Sequence, residues 1–449
     1  MRSHTHVGKF AVWAWMACLL PVHAAFGQSE GDEVAARGSD LHSQVAAAAD
    51  PFPNRPDTSI FGLSIPGGWK FSGSGATTET FDDNIFLAGD ENRQGDLQSN
   101  LQFRGSATFK SRRLRFEADF VPRFSLYNRF DQLNYFSESY IQDAEYRLSA
   151  RQSLHWTATI SHYPARANGA PSSDNFGIDT QALQSPQAIL QGTTTTQAST
   201  GLGFSRSVSA RTQFTANANV SYNEVKPDTA VPNAIFQTTQ RSRSLAGSLG
   251  WSYTLSPGRT IGLQADYSYF LFSQDHHHQN YENAQLRFEQ RVRKHFRAYL
   301  SGGPAWQESS VDRTLGRQLL TYTAAGGLSY DKNNDNINLS YTHSQQLATL
   351  PTGLNSDLAS LLYQRRWKRF VSSASVGYSR TVSEINSGLG NTYYVSGGST
   401  FNLTGNTGLS LNYSRMQERS SANVALLVPQ FERNQYSLGL TYHFNEKNR

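Results

Sequence analysis

Tyr436-Ser437-Leu438-Gly439-Leu440-Thr441-Tyr442-His443-Phe444 is the stretch that decides the fold. Its even positions are all large and apolar, and its odd positions are small or polar. Successive side chains of an extended chain point to opposite faces, so this segment has one greasy face and one wet face. The same dyad recurs upstream. Clear instances are Leu101/Phe103/Gly105/Ala107/Phe109, Leu114/Phe116/Ala118/Phe120, Phe214/Ala216/Ala218/Val220/Tyr222 and Leu245/Gly247/Leu249/Trp251/Tyr253. Later come Ile261/Leu263/Ala265/Tyr267/Tyr269, Leu320/Tyr322/Ala324/Gly326/Leu328/Tyr330 and Ile337/Leu339/Tyr341. Eighteen such segments fit between Trp69 and Phe444; the fourth (Tyr140–Leu148) and fourteenth (Ala359–Trp367) have the softest pattern.

What joins the segments narrows the architecture further. Short connections (Ser111-Arg112-Arg113, Ala150-Arg151-Gln152, Val208-Ser209-Ala210, Ser256-Pro257-Gly258, Lys294-His295, Asn333-Asn334-Asp335, Lys368-Arg369, Gly405-Asn406) alternate with long ones. The long ones lie around 81–96, 128–134, 166–196, 224–240, 274–279, 309–318, 347–356, 383–391 and 419–433. A soluble sandwich has no reason to alternate so strictly, whereas bacterial outer-membrane barrels have short turns inside, long loops outside and an even strand number. The expected fold is therefore all-β: a transmembrane antiparallel up-and-down β-barrel of about 18 strands, 16 being the nearest alternative. A barrel of either size leaves an aqueous lumen.

Composition agrees with a barrel and excludes a helical membrane protein. Only 38% of the 449 residues are hydrophobic, mean hydropathy is −0.53, and no run of about twenty apolar residues follows the N-terminus. The N-terminus itself reads as an export leader: Lys9 precedes the apolar run Phe10–Leu20, and Ala25-Phe26-Gly27 has the small-x-small form of a cleavage site. Residues 1–27 are thus expected to be a signal peptide, 28–68 an irregular periplasmic segment, 69–444 the barrel and 445–449 a short polar tail. The sole cysteine, Cys18, falls inside the leader, so a mature chain has neither disulfides nor thiolate metal sites. Loss of Arg2 and Lys9 leaves 38 basic against 35 acidic side chains, a balance too even to point to nucleic acid.

If the apolar faces meet lipid, the alternate residues line the lumen. These include Arg104 on the second strand; Arg115, Glu117 and Asp119 on the third; Asp143, Glu145 and Arg147 on the fourth; and Arg287, Glu289 and Arg291 on the tenth. Such charges either pair across neighbouring staves to brace a wet wall or form a constriction that selects solutes. The inner turns carry a basic rim of Arg112, Arg113, Arg293, Lys294, Arg365, Arg366, Lys368 and Arg369. That rim either meets anionic phospholipid headgroups or gathers an anionic polymer. The first outer loop is acidic, with Asp82, Asp83, Asp90, Glu91 and Asp96 against Arg93, and the 166–196 loop is long enough to fold into the lumen.

Sites for other chemistry are weaker. His276-His277-His278 could meet a transition metal, but three consecutive residues converge poorly on one ion. His155 and His162 lie on the fifth strand near many serines. Asp82-Asp83-Asn84 offers oxygens without the spacing of a calcium loop. Nucleophile-elbow, zincin and Walker-type motifs do not occur. No cofactor, metal site or enzymatic activity is expected.

The opening of the barrel, Glu79-Thr80-Phe81-Asp82-Asp83-Asn84-Ile85-Phe86-Leu87, resembles the start of the β-barrel porin 2 family. There a Glu-x-aromatic-(Asp/Ser)-Asp-Asn-(Ile/Val)-(Phe/Tyr) stretch follows the first strand, and a run of amphipathic strands ends in an aromatic. The resemblance covers roughly 69–444, and it departs at the five residues after Phe444. Some members accompany exopolysaccharide and exosortase-associated gene sets, so the resemblance implies an outer-membrane component of saccharide export. The expected function is a passive pore for transport or secretion of a saccharide polymer, in the outer membrane of a Gram-negative bacterium, with both termini periplasmic. Its expected partners are outer-membrane lipid, the barrel-assembly machinery, and polysaccharide or periplasmic export components. The rival of another class is a non-conducting structural or adhesion barrel working through its outer loops. In either case the last strand is expected to close the barrel by pairing with the first near Trp69–Gly75.

Overall fold

The computed structural model describes residues 68–86, 92–164, 193–227, 239–273, 278–309, 319–346, 354–383, 389–420 and 430–444. The expected leader, the 28–67 segment and the 445–449 tail lie outside the described residues. Eighteen strands run in chain order: β1 (Trp69–Asp82), β2 (Asp96–Lys110), β3 (Leu114–Tyr127), β4 (Tyr135–Ser149), β5 (Gln152–Pro164) and β6 (Thr193–Ser207). Next are β7 (Thr212–Pro227), β8 (Gln240–Ser256), β9 (Arg259–Phe272), β10 (His278–Arg293), β11 (Phe296–Ser309) and β12 (Leu319–Lys332). The last six are β13 (Asp335–Gln346), β14 (Leu354–Arg366), β15 (Phe370–Ser383), β16 (Leu389–Asn402), β17 (Thr407–Ser420) and β18 (Phe431–Phe444). Each pairs antiparallel with the next, and β18 returns to pair with β1, so the sheet closes without an edge. Closure matters because an open edge in hydrocarbon leaves unsatisfied N–H and C=O groups, each costing several kcal/mol.

Burial is inverted relative to a soluble protein. Ser125, Ser356 and Ser379 are at most 2% exposed, while Leu202, Leu249, Leu300, Leu320 and Leu411 are each above 60% exposed. Only a solvent as apolar as leucine makes that arrangement stable, so the outer face is a lipid face. On β18 the lipid-facing positions are Tyr436, Leu438, Leu440, Tyr442 and Phe444, all exposed. The eight steps from Tyr436 to Phe444 rise about 21 Å along the barrel axis at a tilt of about 40°. That approaches the apolar band of about 25 Å between aromatic girdles.

Eight connections have two to four residues and nine have five to twenty-eight, in strict alternation, giving the barrel a short-turn end and a long-connection end. Turn chemistry fits this. Gly258 adopts φ +87°, and a Cβ there would meet the Arg291 Cβ at 2.9 Å. Asn333, at φ 55°, turns β12 into β13.

Three expectations need correction. The last strand does pair with the first, but from Gly73↔Phe444 to Asp82↔Gln435; Trp69 to Ser72 pair only with β2. Closing a tilted sheet staggers its two edges, so β1 runs four residues past Phe444 at the short-turn end and β18 runs past Asp82 at the long-connection end. The soft patterns also have causes. On β4 the register puts Ile141 inward, opposite Asp119 and Thr159, and Gln142 outward, opposite Ala158. This reverses the dyad in mid-strand, and the nearly buried Gln142 accepts a hydrogen bond from the Tyr140 hydroxyl at 2.7 Å. On β14 both faces are apolar, with Leu358 inward and Leu361 outward. Third, the first loop is no free acidic loop: Asp82 ends β1, Asp96 begins β2, and both carboxylates are engaged, as described below.

The β10–β11 ladder is interrupted in mid-strand, apart from a register shift between Arg291 and Arg293 at the short-turn end. Pairing runs from Asn283↔Ala305 to Leu286↔Gly302 and skips the residues between. Pro304 has no N–H to donate, and a Cβ on Gly303 would collide with the Ala284 carbonyl oxygen.

Candidate functional site

The lumen wall follows from the register. Most inward positions carry hydroxyls or amides, and the hydroxyls pair across strands: Ser153–Ser205, Thr159–Ser199, Ser221–Ser244, Ser340–Ser360 and Ser375–Ser396 lie 2.5–2.8 Å apart. Charge is concentrated on two separate arcs. One runs over β2–β5 and the other over β9–β11, about a third of a turn away in the closed order of eighteen strands.

On the first arc, Arg104 of β2 pairs with Asp119 of β3 at 2.9 Å, and Ser106 donates to the same carboxylate. Arg115 lies 3.5 Å from Glu117 on its own strand. Across the ladder Arg115 faces Glu145, and Glu117 faces Asp143. Asp143 is held 2.9 Å from His155 Nε2 on β5. Arg147 lies 3.8 Å from Glu145, beside a register shift at the short-turn end. The second arc is more open. Arg287 donates to Gln264 at 2.7 Å, and Gln264 in turn donates to Asp266 at 2.8 Å. Glu289 faces Tyr299, and Arg291 faces Arg297. The register thus turns all ten candidate lumen residues inward, and it brings together Arg104 with Asp119, and Arg115, Glu117, Asp143 and Glu145.

The basic residues of the short turns fall at one end of the barrel. Arg112 and Arg113 lie between β2 and β3, Arg293 and Lys294 at the β10–β11 turn, and Lys368 and Arg369 between β14 and β15. Arg365 lies 3.7 Å from Asp335 and stacks over Trp367 at 5.1 Å, and Arg366 is the last residue of β14.

At the long-connection end two inward apolar clusters face each other across the mouth. Ile85, Tyr127 and Leu133 form one, with Phe86, Phe130 and Tyr135 packed against it. Tyr281, Ala305 and Phe270 form the other. The first is built from the β1–β2 and β3–β4 connections, and Asp96 fixes it by accepting the N–H groups of Arg129 and Phe130 at 3.0 and 3.2 Å. Sequence reading named the 166–196 loop as long enough to fold into the lumen. Of that loop only Thr193–Thr196 are described, and they belong to β6. A signal for these two connections existed in the apolar pair Ile85-Phe86 directly after the acidic triplet, and in Leu133 inside a seven-residue connection.

The Asp82-Asp83-Asn84 cluster, weighed above as a hard-cation site, is instead the clasp of the barrel seam. Asp82 points inward and accepts from Arg433 Nε at 2.8 Å, from the Arg433 Nη2, and from Gln435 at 3.1 Å, all on β18. Asp83 accepts the Asn434 backbone N–H at 2.6 Å and its amide at 2.7 Å. Asn84 donates to the Glu432 carbonyl at 2.8 Å. One acidic-amide triplet thus grips three consecutive residues of the last strand plus Gln435. His162 turns to the lipid face beside Thr196 at 2.8 Å, while His276 and His277 lie outside the described residues. Among the described residues no group of three His, Cys, Asp or Glu side chains is arranged to hold a metal ion.

No protein-family model and no curated protein sequence matches this chain. Solved structures are similar to it at low identity. OpdK of Pseudomonas aeruginosa, solved with vanillate, is 12% identical over 83% of this chain and 98% of that one, with a TM-score of 0.44. OccAB3 of Acinetobacter baumannii is 12% identical over 84% and 99%, with a TM-score of 0.44. The FrpB iron transporter of Neisseria meningitidis (F3-3 variant) is 10% identical over 78% of this chain and 62% of its own, with a TM-score of 0.45. The chain therefore spans less than two thirds of that transporter. At such values those proteins' ligands say nothing about this chain's.

Proposed function

We propose that this protein is a passive aqueous channel of the outer membrane of a Gram-negative bacterium that passes a saccharide polymer. The inverted burial carries the pore reading: serine, threonine, asparagine and glutamine occupy the inside of eighteen staves, a number that leaves room for water. A wall of hydroxyls and amides suits sugar hydroxyls, which both donate and accept. Charge pairs such as Arg104–Asp119 keep the wall close to neutral, so it does not hold a charged polymer tightly. The short-turn end faces the periplasm in this reading, and its basic rim collects an anionic chain before it enters. Single-channel conductance of the purified protein in a planar bilayer tests the pore. Open steps that shrink when dextran or a neutral polysaccharide is added on the short-turn side support it; a sealed barrel favours a structural or adhesion role and overturns it.

A further inference from the structure

The lipid face carries a feature that conduction does not use. At the long-connection end of β7 and β8 the register pairs Glu224 with Arg241 and Tyr222 with Arg243. Lys226 lies two residues further on the same face. Glu224 holds Arg241 Nε at 2.7 Å and Lys226 Nζ at 2.8 Å, so one carboxylate positions two cations while both keep spare donors. Arg243 is exposed and has no ion-pair partner among the described residues. On the same register level the next carboxylate is Glu138, three staves away beyond Thr196 and His162. Glu282 of β10 and Glu308 of β11 also face outward, level with Gly247 and Leu245 and two and three staves from β8. On β7 and β8 themselves the balance is three cations against one anion.

Toward the short-turn end the same staves turn apolar. Val220, Leu245 and Leu249 are 53%, 50% and 66% exposed. A groove of about 780 Å³ runs over this face, lined by residues including Phe204, Phe214, Leu249, Trp251, Leu263 and Pro304. Arginine facing hydrocarbon is costly at mid-bilayer and nearly neutral at the interface, so the cations mark the headgroup level. Arg243 and Leu249 are six residues apart, roughly 20 Å along the strand, which is the reach of a lipid tail below its headgroup. Two rungs of one strand plus a rung of its neighbour form a cationic patch wider than one phosphodiester, and Tyr222 and Thr196 add hydrogen-bonding hydroxyls beside it.

We infer that this face of β6–β11 binds a phosphorylated glycolipid of the surrounding leaflet. Its phosphates sit on Lys226, Arg241 and Arg243, and an acyl chain lies in the groove. The assignment to a glycolipid rests on the reading that the long-connection end faces outward. The purified barrel in non-ionic detergent is offered diphosphorylated lipid A, its dephosphorylated form, or phosphatidylglycerol, and retention is read by native mass spectrometry. Wild type should keep the diphosphorylated lipid, and Arg241→Gln/Arg243→Gln should weaken retention by about tenfold or more. Arg380→Gln, an outward cation on β15, should not. Equal retention by the double variant or of the dephosphorylated lipid overturns the site, and equally tight phosphatidylglycerol overturns the glycolipid. Orientation is tested separately with Ser273→Cys, the only thiol of the mature chain. Labelling by a membrane-impermeant maleimide only after lysis overturns the outward reading without touching retention in detergent.

Discussion

Removing Asp82 should damage the barrel more than removing its neighbour Asp83, although both bind β18. The side chains of Arg433 and Asp82 are 8% and 3% exposed. Asp82→Ala leaves a guanidinium buried with no counter-charge, a situation that costs about 3–5 kcal/mol. Gln435 loses an acceptor as well, adding about 1 kcal/mol. Asp83 is 24% exposed, and its ion pair with Arg93 is long at 3.6 Å, so Asp83→Ala should cost about 1 kcal/mol through its bonds to Asn434. The decisive variant is Asp82→Ala/Arg433→Met, which removes both charges and should recover most of the loss. Urea unfolding of the barrel in micelles, followed by tryptophan fluorescence and heat-modifiable gel migration, gives the midpoints. A double variant as unstable as Asp82→Ala, or an Asp82→Ala barrel as stable as wild type, would refute the argument that a buried pair locks the seam.

Further outcomes follow from other parts of the barrel. Leu440→Arg puts a cation among lipid-facing Leu438 and Tyr442 and should cost about 2–4 kcal/mol, whereas Thr441→Arg, on the inward face, should assemble normally; gel mobility of folded protein checks both. Gly303→Val should lower the yield of folded barrel sharply, since any Cβ there collides with the Ala284 carbonyl, and Gly105→Ala, with open space around it, should not. Arg287→Gln/Arg291→Gln should move the reversal potential in a salt gradient toward cation selectivity, and an unchanged potential would remove that arc from the ion path. Neutralising Arg365, Arg366, Lys368 and Arg369 should reduce polymer secretion at normal barrel levels; unchanged secretion would sink the collecting rim.

Much of this molecule was legible because a barrel repeats one rule. The dyad from Tyr436 to Phe444 assigns faces along a strand, and the alternation of short and long connections assigns ends. Both are local patterns with periods a sequence displays directly. The register across the seam was not legible, because the stagger of a closed sheet is a property of all eighteen strands together. Asp82, Asp83 and Asn84 showed why site reading fails more often than fold reading. Three adjacent oxygen-bearing side chains suggest a cation from sequence alone, and only the position of Arg433 shows that the charge is already met. Likewise the lumen clusters depended on Ile85 and Leu133, which sit in connections where no period marks a face.

The clasp also says something about time. Asp82 and Arg433 are separated by 351 residues. A chain released early, or one with a stave out of register, brings a wrong residue to that position and leaves an arginine stranded in a dry place. The contact is therefore a completion signal: it can be made only when every stave has been counted in, and a barrel lacking it is open along the one line where lipid would find bare backbone.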